Sequence, residues 1–444
     1  MIGGNDAGLS AAGRAKRMKP GLDIRVLEKT PFVGYASCAL PNMLAGTVLP
    51  APLAGAPARE LSEKRGFQIQ THALVTEINT LKRIITIRDT QSGAETTKGY
   101  RKLLLSTGAN PIIPPAFAGD ANNLFTLRNY SDALAIHNFL NVRRPQTALV
   151  VGSGYIGIEV AEALYHRGIS VVLVEKAGQL FPQFSRQLGS ILETTLVQKG
   201  IDLRLGTEVN QCIRMGDEIK SVVSGRQSIP TELIILATGI TPANQLAKQA
   251  GIPVGESGAI MVNDYLQTRR MDVFAAGDCV ETRHLVTGKP AWLPLAGIAS
   301  RQGRIAGTNL AGKRESFSGA LGTFMVRAFG LEFGMTGLSL QDAQKAGLDA
   351  VETVIDQNDR PGYMPDASKI TLTLITERKS QRVLGGQMIG KADVGLRLNI
   401  LATAISGKMS ARDLEFLDLG YTPLINNMWD PISIAGNAAQ KEQE

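Results

Sequence analysis

Cysteine is scarce in this chain of 444 residues, with only Cys38, Cys212 and Cys279. No two of them form a Cys-x-x-Cys pair, and no Cys/His cluster has metal-ligand spacing. That argues against a disulfide framework and against a bound metal, and leaves room for one thiol with a chemical task. Long apolar runs are missing too, so no segment has the ~20 apolar residues that a membrane-spanning helix needs. No basic-then-apolar leader precedes the first motif, and the expectation is a cytoplasmic protein without a membrane partner. Runs of like charge are absent. The net charge is +7, but the basic residues are scattered and not interleaved with aromatics, so nucleic acid is not an expected partner. The excess reads either as a solvated basic surface or as attraction for small polyanions. What is present is ordinary: 44% hydrophobic and 20% charged residues, at a length that implies two or three domains.

Glycine is where the sequence becomes specific. Ala148–Val151 is a short buried-strand pattern running into Gly152-Ser-Gly154-Tyr155-Ile156-Gly157, then a helical stretch from Ile158 to Arg167. Gly168 ends that helix, and Ser170–Val174 is a second strand closed by Glu175. This is the strand–GxGxxG–helix–strand–acid unit of dinucleotide binding. Gly152 permits the tight turn, Gly154 lets backbone approach a pyrophosphate, and Gly157 lets helix pack on strand. A carboxylate at 175 accepts from ribose hydroxyls and repels a 2′-phosphate, which favours NADH over NADPH, while Lys176 beside it works against that preference. A degenerate copy opens the chain: Ile2-Gly3-Gly4-Asn5-Asp6-Ala7-Gly8, a helix from Leu9 to Met18, and a strand from Asp23 that ends in Glu28. Only Met1 and Ile2 precede these glycines, where a central strand wants several more apolar residues. The reading therefore expects the recorded start to fall a few residues late, or the chain to have been shortened. Leu103–Leu105 before Ser106-Thr107-Gly108, Leu233–Leu236 before Thr238-Gly239, and Asp272–Ala276 before Gly277-Asp278 are three further strands ending in small-residue turns.

Cys38 follows the Glu28 strand within Ser37-Cys38-Ala39-Leu40-Pro41-Asn42. Ser37 reads as a helix N-cap with Pro41 in the first turn. A thiol there faces the positive helix end, which favours the reactive thiolate. The alternative is an inert packed cysteine, the reading preferred for Cys212 and Cys279.

The order of these elements resembles the pyridine nucleotide–disulfide oxidoreductases over the whole chain. The resemblance implies an α/β fold with two Rossmann-like domains, for FAD and NAD(P)H, plus a C-terminal α+β dimerisation domain. The expected boundaries are 1–112 with 242–316 for FAD, 113–241 for NAD(P)H and 317–444 for the interface. It implies cofactor contacts at the glycines and acids above and at Lys29, Thr107, Gly108, Tyr155, Ile156, Thr238, Gly239 and Gly277, with Asp278 on a flavin ribityl hydroxyl. Ser-Cys-Ala-Leu-Pro is similar to the single-cysteine branch, which holds coenzyme A disulfide reductases, persulfide or polysulfide reductases and NADH oxidases. That branch implies that electrons pass from NAD(P)H through FAD and Cys38 to a small disulfide, persulfide or polysulfide. It implies a homodimer in which Tyr363 and Tyr421 assist the cysteine of the other subunit, and a coenzyme A site built from Arg14, Lys16, Arg17, Ser37 and Asn42. Departures are Asn42 and Met43 in place of aromatics, Asp6 in place of a histidine carried by peroxidases and many oxidases, and no rhodanese-like domain after residue 444. The readings left open are an NADH oxidase, a reductase of a small electron-carrier protein, and a nucleotide-binding regulator without turnover.

Overall fold

The computed structural model describes residues 1–441. It divides into two compact units, Met1–Pro145 with Ile235–Arg283 and Pro290–Ala320, and Gln146–Ile234 with His284–Lys289 and Leu321–Glu444.

In the first unit, Arg25–Leu27 pairs in parallel with Gln68–Gln70, and Leu103–Leu105 with Val273–Ala275. Ile2 lies between these two pairs, bridging in parallel to Leu27 and to Leu105. The short central segment is hydrogen-bonded on both sides: Ile2 N–H donates to the Leu104 carbonyl (2.9 Å), Gly3 N–H to Leu27 (2.8 Å), Leu27 N–H to Met1 (2.9 Å) and Ser106 N–H to Ile2 (2.8 Å). An antiparallel ribbon of Ala73–Asn79, Ile84–Asp89 and Glu95–Gly99 supplies Val75, Ile78, Ile85 and Ile87 to the core beneath this sheet. The first helix, Asp6–Met18, starts three residues earlier than the sequence reading places it and packs on Ala296–Leu310. Both contact faces are made of small residues. A Cβ on Gly303 would sit 2.3 Å from the Ala7 carbonyl oxygen, and one on Gly307 2.4 Å from that of Ala11.

In the second unit, Thr147–Val151, Ser170–Val174 and Asp202–Arg204 form a parallel sheet with the helix Tyr155–His166 as the first crossover. A three-stranded meander spans Gln211–Pro230. Five antiparallel strands follow in the spatial order Phe324–Ala328, Leu331–Gly337, Val383–Gly390, Lys369–Glu377 and Ala350–Asn358. Helices Val394–Ser406 and Pro431–Lys441 cover that sheet, burying Leu398, Leu401, Ile405, Ile432 and Ala435 against Ile370, Leu372, Leu374 and Met388. Close approach again needs glycine: a Cβ on Gly386 would meet Leu401 Cδ1 at 2.5 Å. The loop after the second parallel strand is seated on the antiparallel sheet. Phe181 and Phe184 stack on each other (4.9 Å) and meet Phe324 and Phe333, and Ser185 N–H donates to Gln387 Oε1 (2.7 Å).

Gly303→Ala should overpack the crossing of Asp6–Met18 on Ala296–Leu310, because the clash is with main-chain oxygen rather than a flexible side chain. A loss of about 1–3 kcal/mol is expected from the urea midpoint of the purified protein.

Candidate nucleotide and thiol site

The two glycine loops are built alike. Glu28 ends its strand with Oε2 accepting from Gly4 N–H (2.9 Å) and Oε1 accepting from the Thr30 N–H and hydroxyl (2.9 Å each). Glu175 does the same in the second unit: Oε2 accepts from Ser153 N–H (2.9 Å) and its hydroxyl (2.8 Å), and Oε1 from Ala177 N–H (2.8 Å). Each carboxylate is thus locked to its own glycine loop and to the main chain two residues on. The lone pairs left over are available to ribose hydroxyls.

In the first loop the glycines are sterically required. Gly3 has φ +108° and a Cβ there would lie 2.1 Å from the Ser106 carbonyl oxygen; one on Gly8 would lie 1.9 Å from the carbonyl oxygen of Gly3. Asn5, in place of the middle glycine, has its Oδ1 buried without a hydrogen-bond partner. A buried acceptor of this kind at the mouth of a glycine turn fits a site completed by a bound group. Gly154 in the second loop is different: a Cβ there would meet nothing within 4 Å. Protein packing does not demand glycine at 154, whereas backbone approach by a pyrophosphate does. The helix begins at Tyr155, with Gly154 as N-cap, three residues earlier than the sequence reading. Tyr155 and Ile156 therefore belong to its first turn, beside Gly157. The Tyr155 ring lies 6.0 Å from that of Phe324.

The remaining cofactor candidates fall as follows. Thr107 Oγ1 donates to the Ala243 carbonyl (2.7 Å) next to Gly108, Thr238 Oγ1 donates to the Ile112 carbonyl (2.7 Å) next to Gly239, and Lys29 is exposed. Gly277 has φ +87° and its N–H donates to the buried Gln302 Oε1 (2.8 Å). Asp278 pairs with Arg128, Nη2 to Oδ2 at 2.5 Å, and Arg128 Nε also reaches the Ala109 carbonyl (3.2 Å). Burial, then the charge of Asp278, pushes the Asp6 carboxyl up, with Arg128 opposing. Burial, then Glu28, raises the Tyr35 phenol to about 12. Arg128 and Tyr35 escaped the sequence reading. Arg128 stands just before an Asn129–Asp132 capping box, whose pattern is legible, but its partner lies 150 residues further on.

Cys38 is exposed in a single turn of 3₁₀ helix, Ser37–Ala39, and the α-helix starts only at Leu40. The expectation that Ser37 caps a helix is therefore corrected: its side chain makes no cap and the N-cap is Ala39. Pro41 is the cause. It has no N–H to return to the Ser37 carbonyl, so the i→i−4 ladder cannot run back through the cysteine, and Leu40 N–H closes a tighter turn on Ser37 instead. Leu40 and Met43 are buried against Tyr130 and Ala133, which leaves Cys38 and Asn42 exposed. The other two cysteines differ. Cys279 is fully buried, its thiol within 3.5–3.6 Å of the Ala276 and Leu105 carbonyls, and burial raises both it and the half-buried Cys212.

The basic group on the first helix is divided. Arg14 Nε donates to Thr308 Oγ1 (3.0 Å) and its Nη2 lies 3.8 Å from Glu315; Lys16 Nζ donates to the Leu22 carbonyl (2.9 Å). Arg17 is exposed, and a Cβ on Gly13 would lie 3.3 Å from its Nη1 and 3.7 Å from Nη1 of Arg65. Arg65 is thus a second cation over the same glycine. In sequence it reads only as a basic last turn of the helix Ala58–Arg65. Tyr363 and Tyr421 are both exposed in the second unit. Loss of hydration, then the nearby Tyr363, holds the Tyr421 phenol above its ordinary range. Among the described residues no cluster of metal-ligating side chains occurs, and no helix is long and apolar enough to cross a membrane.

Two acid-locked glycine loops and one exposed thiol define a dinucleotide-dependent redox enzyme. The chain belongs to the pyridine nucleotide-disulphide oxidoreductase family, whose description fits residues 1–303, with the family's dimerisation domain at 325–431. Its cofactors are accordingly FAD and NAD(P)H. It is 35% identical over 435 residues to an NAD(P)H coenzyme A polysulfide/persulfide reductase of Pyrococcus horikoshii, covering 98% of this chain and 96% of that one. It is 32% identical to an NADH oxidase of Enterococcus faecalis, over 99% and 98% of the two chains. A solved NAD-dependent persulfide reductase from A. fulgidus superposes with a TM-score of 0.96 at 33% identity, over 100% of this chain and 82% of that one.

Two expectations follow. Lys176 is held by Glu208 (2.8 Å) in an exposed ion pair. Glu208→Gln should free it and raise kcat/KM for NADPH up to about fivefold, the worth of one such pair, with NADH turnover unmoved. Burial, then Glu162, raises Glu159 on the Tyr155–His166 helix from 4.5 to about 7. The folded state therefore binds this proton more tightly than the unfolded chain. Its stabilising contribution is full below 4.5 and is lost as pH rises through about 7. Thermal unfolding of Glu159→Gln between pH 4.5 and 8 should show a flatter decline of Tm than the parent.

Proposed function

We propose that this chain is an NADH-preferring reductase of a small disulfide, persulfide or polysulfide carried on coenzyme A. The observation that carries the reading is Cys38: exposed, in a turn pinned by Leu40 and Met43, in a chain whose other two thiols are withdrawn and raised by burial. The polysulfide and persulfide reductases among its relatives support it. A bound FAD, held by the Gly3–Gly8 loop, Glu28 and Asp278, supplies two-electron transfer between nicotinamide and sulfur. The Gly152–Gly157 loop and Glu175 hold the nicotinamide nucleotide, with Tyr155 at the first helical turn.

The chemistry falls to Cys38 and the two tyrosines. The Cys38 thiolate attacks one substrate sulfur, and the new S–S bond forms as the old one breaks. The departing thiolate takes a proton from Tyr363, with Tyr421 close enough to be raised by it. One electron pair from NADH then cleaves the mixed disulfide, returns Cys38 to thiolate and releases the second thiol. The tyrosines serve the cysteine of a second copy. Leu424, Ile425, Met428 and Trp429, all exposed beside Tyr421 in sequence, form an apolar surface that a homodimer covers. Arg17 and Arg65, with Arg14 behind them, suit the phosphates of coenzyme A, and Ser37 and Asn42 flank the thiol. Thiolate chemistry of this kind suits the reducing cytoplasm.

A second reading, oxygen as acceptor, rests on the NADH oxidases among the relatives. Anaerobic NADH consumption by Cys38→Ser separates the two. Reduction of coenzyme A disulfide or persulfide should fall about a thousand-fold or more, because the nucleophile itself is gone. Disulfide reduction at the parent rate would sink the proposal.

A further inference from the structure

The loops that carry Tyr363 and Tyr421 are separate in sequence, and one side chain joins them. Arg360 is largely buried at the base of the first loop. Its Nη1 bridges to Asp366 Oδ2 (2.7 Å) across that loop and donates to the Leu424 carbonyl (3.4 Å) in the turn after Tyr421. Its Nη2 faces Asp359 Oδ2 (3.3 Å) and Asp393 Oδ2 (3.4 Å), ahead of the helix Val394–Ser406. The Nε of Arg360 is buried with no acceptor, so all of its bonding passes through the two outer nitrogens.

Both loops are otherwise braced only within themselves or at their ends. Asp359 closes the first by accepting from the Ser368 N–H (2.8 Å) and hydroxyl (3.0 Å). Asn426 closes the second, its Nδ2 donating to the Gly420 carbonyl (2.7 Å) and its Oδ1 accepting from Thr422 N–H (3.1 Å). The buried Arg397–Asp430 pair and the bond from Asn427 to the Asn358 carbonyl (2.6 Å) tie the ends of the loops together, away from the tyrosines. Near the phenols themselves, Arg360 links the Tyr363 loop to the turn after Tyr421.

We propose that Arg360 is a positioning residue for the tyrosine pair, clamping the Tyr363 loop and the turn after Tyr421 in one fixed register. A guanidinium is required because its planar fork reaches three carboxylates and a carbonyl at once, which a lysine ammonium on a flexible stem does not. The inference rests on the reading of these tyrosines as proton donors.

The test uses FAD-loaded dimer variants in stopped flow, with coenzyme A disulfide as the probe. In Arg360→Gln the rate of disulfide reduction by NADH-reduced enzyme should fall 10- to about 100-fold, the cost of misplacing a catalytic group by about an ångström. KM and the rate of flavin reduction by NADH should stay at parent values. Arg360→Lys should recover part of the loss. Asp366→Asn, at an exposed partner, should fall several-fold without unpairing a buried charge, which keeps the test open if Arg360→Gln folds poorly. Adding Arg360→Gln to Tyr363→Phe should cost nothing further. Multiplying losses in that double variant would overturn the proposal. So would hydrogen exchange of residues 361–367 and 420–426 that stays at the parent rate in both Arg360→Gln and Asp366→Asn. A parent rate in Tyr363→Phe would instead remove the tyrosines from the mechanism. The exchange alone then decides the clamp: faster exchange in both loops upholds it and unchanged exchange removes it.

Discussion

One residue holds the first unit in register. Ile2 has hydrogen-bonded neighbours on both sides, Leu27 and Leu105, and through them two strand pairs become one parallel sheet. The cofactor candidates that follow these strands in this unit hang from that junction. The chain turns at Gly3 immediately after it, Glu28 follows Leu27, and Ser106 and Thr107 follow Leu105. A parallel sheet delivers all of its loops to one end, and a single residue of register decides which side chains arrive there.

The second unit repeats the device with different sterics. Both acids are locked to their own glycine loops by bonds of 2.9 Å from main-chain N–H groups. Yet Gly3 and Gly8 are forced by neighbouring carbonyl oxygens, whereas Gly154 has open space. The fold thus forces the glycines of the first loop and leaves Gly154 of the second unforced. The sequence does not distinguish these cases, because both write the same letter.

Legibility followed the range of the interaction. The glycine units, their acids and the strands behind them were readable because turn, helix start and carboxylate lie within some 25 residues of one another. Cys38 stood out through the resemblance that Ser37–Pro41 carries, while the residues alone left an inert packed cysteine open. The same Pro41, which lacks an N–H, refutes the cap assigned to Ser37. What stayed hidden was long-range pairing: Arg128 with Asp278, Arg17 with Arg65, and Arg360 with Asp393 and Leu424. Arginine is common on surfaces, and nothing in its immediate sequence says which will be spent on a distant carboxylate.

Two carboxylates that follow the second glycine loop differ in their contact with water. Glu175 is fixed by main-chain donors, while Glu208 meets Lys176 in a direct ion pair (2.8 Å) on the exposed surface. Mobile ions screen exposed charges over about 8 Å at physiological ionic strength and reach enclosed hydrogen bonds far less. The Lys176–Glu208 pair is therefore set by the salt of the surrounding solution, whereas the bonds that lock Glu175 to its loop belong to the fold.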